Sequence, residues 1–118
     1  VNRQAYFPQR IEAVRGPQLA SDDTLALCKS ERDALLVSVT LSGLTYEEIA
    51  ARIGVSKQAV NKWTRKGIPA SRVTAFCNAT STRLVEQFIQ WELAKRQMRH
   101  QMREADRIAA IVEQARAA

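Results

Sequence analysis

Between Leu44 and Gly67 the apolar positions are spaced as in two short helices meeting at a turn. Ile49, Ala50 and Ile53 fall at i, i+1 and i+4, one helical face. Val60 and Trp63 then sit one turn apart, with Ala59 beside them. Thr45 followed by Glu48 predicts a capping box, the hydroxyl accepting from the Glu48 amide and the carboxylate from the Thr45 amide. Leu44 and Ile49 are placed as a hydrophobic staple across that cap. Gly54 supplies the left-handed residue that ends the first helix, and Ser56 caps the second. The second helix is expected to reach about Lys66, with Gly67 and Pro69 stopping it.

A helix, a tight turn at Gly and a second helix make the layout of a helix-turn-helix. The flanks read as its support. Ser30 with Asp33 caps a helix from about Glu31 to Leu41, with Leu35, Leu36, Val39 and Leu41 as core stripe and Gly43 closing it. A short turn over Thr24 to Cys28, capped at Ser21-Asp22-Asp23, precedes it. After the motif, Ile68-Pro69 leads into a helix near Ala70 to Asn78, with Val73, Phe76 and Cys77 inward. Leu36, Ile49, Ile53, Val60, Trp63, Val73 and Phe76 form the expected core, a small one for independent stability.

Thr80-Ser81-Thr82 caps a last element without Gly or Pro, predicted as one helix from about Arg83 to Ala117. At 1.5 Å per residue it spans roughly 50 Å. Leu84, Phe88, Trp91, Lys95, Met98, Met102, Ala105, Ala109 and Val112 follow one another at alternating intervals of four and three. That spacing is a coiled-coil seam, broken at Lys95. Leu84, Phe88, Ile89 and Trp91 are expected to dock on the core; Met98, Met102, Ala105, Ile108, Ala109 and Val112 are expected to pair with a partner helix. Arg99, Glu104, Arg103 and Asp106 supply mixed charge on the flanks. The fold class expected is all-α: a compact four- to five-helix domain with a helix-turn-helix, followed by a long C-terminal helix. The organisation expected is a partly ordered or arm-like leader over 1–29, a helix-turn-helix domain over 30–80 and an oligomerisation helix over 81–118.

Residues 1 to about 20 hold two of the three prolines and no sustained period. Tyr6, Phe7, Ile11 and Val14 could pack, and the bland expectation is a loosely docked leader. The functional alternative is a basic arm in which Arg3, Arg10 and Arg15 reach a minor groove.

Charge narrows the partner. The 118-residue chain carries a net charge of +6 and a pI of about 9.9, favouring an acidic partner. From Lys57 to Val85 there are six cations and no carboxylate, whereas the other twelve cations are matched by twelve acids. On the second helix of the motif, Lys57, Gln58, Asn61, Lys62 and Arg65 lie opposite Val60 and Trp63. Gln and Asn can make paired hydrogen bonds to adenine, Arg and Lys to guanine, and the cations suit phosphate.

Tyr46 to Arg65 resembles the helix-turn-helix signature of the Cro and phage-repressor superfamily, through Ala50, Gly54, Val60 and Trp63. Val55 to Val73, VSKQAVNKWTRKGIPASRV, is similar to small Cro-like phage regulators and their antitoxin relatives. The resemblance covers roughly residues 30 to 80. It implies DNA contacts from Lys57, Gln58, Asn61, Lys62 and Arg65, and phosphate contacts from Thr45 and Tyr46. Ser56, Lys66 and Arg72 complete the candidate DNA-binding set.

No catalytic, cofactor or metal constellation stands out. The single His100 has no carboxylate or cysteine partner at site spacing, and there is no Gly-rich phosphate loop. The expectation is therefore a protein that is not an enzyme, without metal, cofactor or evident small-molecule ligand. Trp63 and Trp91 are expected in the core. Two distant cysteines, no membrane-spanning apolar run and no signal-peptide pattern suggest a bacterial or phage-infected cytoplasm. The function expected is a sequence-specific double-stranded DNA-binding regulator, a repressor of phage or mobile-element type, binding a palindromic operator as a homodimer. Other readings stay open. One is an assembly protein like a phage small terminase subunit, forming a larger oligomer. Ser30 to Ser56 also looks like the last DNA-binding domain of sigma factors, and the terminal helix could dock a host protein.

Overall fold

The computed structural model describes residues 16–117, which form six α-helices and one turn of 3-10 helix. In chain order they are α1 (Asp22–Leu27), α2 (Glu31–Ser42), α3 (Tyr46–Ile53), α4 (Lys57–Lys66), the 3-10 turn (Ala70–Arg72), α5 (Val73–Thr80) and α6 (Leu84–Ala117). The all-α expectation holds. Nearly every boundary has a local cause. Ser21 accepts from the Thr24 amide, and Ser30 from that of Asp33, while the Asp33 carboxylate accepts from the Lys29 amide. The helix expected near Ala70 is divided. Pro69, with no N–H to donate, opens a 3-10 turn, and α5 begins only at Val73.

Helix α3 packs on α4 and α5, and α2 packs on the same two. Leu35, Ile49, Val60, Phe76, Leu84 and Val85 are fully buried at the centre. Ser38 joins them, and its hydroxyl meets its hydrogen-bonding need by donating to the Ala34 carbonyl at 2.7 Å. The stripe of α2 is thus Ala34, Leu35 and Ser38; of the expected Leu35, Leu36, Val39 and Leu41, Leu35 alone is fully buried. Leu36 and Val39 sit half-buried on its flank. Leu41 faces the right way but falls in the last turn, and is 63% exposed at the rim of a shallow cleft with Leu44, Arg52 and Ala79. Ile53 and Val73 are likewise half-buried.

The described part of the leader is tied down. The Gln18 amide donates to the Ser81 carbonyl at 3.2 Å, and its carbonyl accepts from the Arg83 amide at 2.8 Å. Gln87 then clasps the Ala20 backbone, accepting from its amide at 2.8 Å and donating to its carbonyl at 3.2 Å. These contacts brace the α5–α6 junction, where Ser81 adopts a left-handed φ of 62°. Arg3, Arg10 and Arg15, with Tyr6, Phe7, Ile11 and Val14, lie outside the described residues. Cys28 and Cys77 are free and buried, and burial pushes both thiols up, which suits small core residues rather than nucleophiles.

The chain divides into two packing units between Phe88 and Ile89. In the first, the Leu84 amide donates to the Thr82 hydroxyl at 3.3 Å, and Leu84, Val85 and Phe88 are buried. In the second, Trp91 departs from its expected place in the core. It is 40% exposed, with the Lys95 ammonium 4.2 Å from its ring centre. Residues four apart on a helix are neighbours, so the cation covers the ring and also reaches Glu92 at 3.2 Å. Glu104 pairs with Arg107 at 2.9 Å; Arg99, five residues away, does not face it. No single helix among the described residues is long and apolar enough to cross a membrane.

Candidate nucleic-acid interface

The capping box of α3 forms as the spacing predicts. The Thr45 hydroxyl accepts from the Glu48 amide at 3.1 Å, and the Glu48 carboxylate from the Thr45 amide at 2.9 Å. Bonding to the Thr45 backbone holds the Glu48 carboxyl below the usual carboxylate range. Helix α3 ends at Gly54, whose φ of 87° is costly for any residue with a Cβ. Two residues later Ser56 accepts from the Ala59 amide at 3.1 Å and starts α4.

Helix α4 divides cleanly into two faces. Val60, Trp63 and Thr64 are buried at i, i+3 and i+4. Thr64, a polar residue, is an inward position that the apolar pattern does not mark. Its spacing from Val60 is the signal, and its hydroxyl is satisfied by donating to the Asn61 carbonyl at 2.7 Å. Lys57, Gln58, Asn61, Lys62, Arg65 and Lys66 are all exposed on the rest of the helix. No carboxylate lies in the first turn, leaving the positive end of the helix dipole uncancelled. Arg65 and Lys66 occupy the last turn, where cations also favour helix stability without any ligand.

The flanking candidates differ in what they have left to offer. Thr45 is exposed, but its amide is committed to Glu48, leaving the hydroxyl proton for phosphate. Tyr46 is half-buried, and Ser56 is exposed with its oxygen used as the cap. Arg72 is exposed at the end of the 3-10 turn. Among the described residues no ion pair involves Lys57, Lys62, Arg65, Lys66 or Arg72. Arg83 is different: it is paired with Glu86, its Nε 2.8 Å from the carboxylate, so the run of unpaired cations stops at Arg72.

No cluster of His, Cys, Asp or Glu among the described residues could hold a metal ion. What the surface offers instead is a helix with an exposed cationic and amide face, set by a short turn on a bracing helix. A family model described as Helix-turn-helix matches residues 40–80, from the end of α2 through α5. No curated protein and no solved structure matches the chain. Residues 40–80 are therefore a helix-turn-helix of the Cro and phage-repressor type, a match that supports a DNA-binding transcription regulator.

Proposed function

We propose that the protein is a sequence-specific repressor of phage or mobile-element type that binds a palindromic double-stranded operator as a homodimer. The observation that carries this is the face of α4: four exposed cations without an ion pair among the described residues, and two amides, with no carboxylate. Lys57, Lys62, Lys66 and Arg72 serve phosphates and supply most of the affinity. Gln58, Asn61 and Arg65 read base edges in the major groove. Thr45, Tyr46 and Ser56 position the motif against the backbone.

A single recognition helix spans only a few base pairs, so a two-fold pair supplies discrimination a monomer lacks. The seam of α6 is where the second copy pairs. Met98, Met102, Ile108 and Val112 are 62%, 63%, 53% and 42% exposed, an unusual load of apolar surface for one helix. Ala105 and Ala109, small and exposed, let two such helices approach closely.

Unbiased selection of bound sequences from a random duplex library tests the proposal. A consensus with two inverted half-sites about one helical turn apart is expected. A single asymmetric site, or recovery of unenriched sequence, would sink it. Mass in solution separates the dimer from a many-subunit assembly of the small-terminase kind.

A further inference from the structure

We propose that Arg96, Arg99, His100 and Arg103 on α6 form a second phosphate-binding stripe, which holds nucleic acid without reading its sequence. The proposal rests on the DNA-binding reading but uses residues outside the helix-turn-helix. From Leu93 to Arg103 the chain has no carboxylate. Within that run the four residues fall at i, i+3, i+4 and i+7, along one helical face. All four are exposed, and among the described residues none is in an ion pair. The neighbouring cations are differently engaged, Lys95 by Trp91 and Glu92 and Arg107 by Glu104. A shallow groove runs beside the stripe, lined by Arg96, His100 and two neutral glutamines.

Like charges three and four residues apart weaken a helix, and mid-helix neither end of the dipole offsets them. A face needed only for solubility would mix charge signs, as α6 does further on with Glu104, Asp106 and Arg107. Three of the four groups are guanidinium, whose planar donors meet phosphate oxygens in pairs. The stripe is about 10 Å long, enough for about three successive phosphates of one strand. Arg96, His100 and Arg103 lie away from the seam and Arg99 on its flank, so a paired α6 leaves the stripe open. A lipid surface fits less well. If the face of Met98 and Met102 entered a bilayer, most of this stripe would turn away from the headgroups.

The test uses the full chain, titrated with a random-sequence duplex several turns long over a salt series. R96Q/R99Q/R103Q keeps good helix formers. Its plot of log affinity against log salt should be shallower by about two to three than that of the wild type. Its preference for the selected site over random duplex should be unchanged. R96K/R99K/R103K, which retains the charge, should restore the slope, and circular dichroism should show equal helix content in all three. An unchanged slope in a folded triple glutamine variant overturns the stripe alone. So does a loss seen only with phosphatidylserine vesicles and not with duplex. A wild type that binds no duplex overturns the DNA-binding reading as well.

Discussion

The Glu31 carboxylate, in the first turn of α2, accepts a hydrogen bond from the Ile68 amide at 3.1 Å. It thereby joins the start of the bracing helix to the chain just leaving α4. Gly67 belongs to the same contact. Its φ is 103°, and a Cβ there would stand 3.0 Å from the same carboxylate oxygen. Removing the acceptor with Glu31→Ala leaves a partly buried N–H unmet, and should cost about 1–2 kcal/mol in urea unfolding. Gly67→Ala should cost about 1–3 kcal/mol from the backbone alone. The double variant should lose less than the sum, because the contact with the carboxylate is then gone while the φ penalty remains.

The capping box of α3 has a pH signature. The folded-state pKa of Glu48 is depressed, chiefly by its bond to the Thr45 backbone. Its contribution to stability is therefore full above the unfolded carboxylate value, about 4.3, and is lost as pH falls through the lower folded value. Glu48→Gln keeps an acceptor oxygen but cannot titrate. Urea midpoints of the two proteins should converge as the pH is lowered below about 4; a constant gap would show that the carboxylate charge plays no part.

The two kinds of contact assigned to α4 should separate by mutation. Gln58→Ala or Asn61→Ala should cost about 1–3 kcal/mol on the selected site and relax preference at one or two positions. Lys66→Gln or Arg72→Gln should weaken binding to all sequences alike and flatten the salt dependence. Retention of full site preference by both amide variants would mean that another face reads the bases.

The pairing proposed for α6 is open to charge insertion. If α6 pairs two copies as proposed, Met98→Glu, Met102→Glu and Ile108→Glu together should leave the protein monomeric in analytical ultracentrifugation, with helix content kept. Affinity for a palindrome should fall towards that for one half-site. If the triple variant sediments like the wild type, the seam does not hold the copies together.

The sequence by itself determined the punctuation of this protein. Caps such as Thr45 with Glu48, the stop at Gly54, and the division of α4 into apolar and cationic faces depend on residues within about one turn of each other. Their chemistry is local, and so are the features that make the cationic face of α4 legible. The tertiary structure decided which apolar residues are buried and what ties distant segments together. Leu41 and Trp91 fit the helical period yet stay exposed, while Ser38, Thr64 and Val85 take core positions. Periodicity names a face but not the neighbour, or lack of one, that the face meets. Glu31 with Ile68 and Gln87 with Ala20 join residues 37 and 67 positions apart. No local pattern encodes such contacts, because each partner is chosen only when the helices pack.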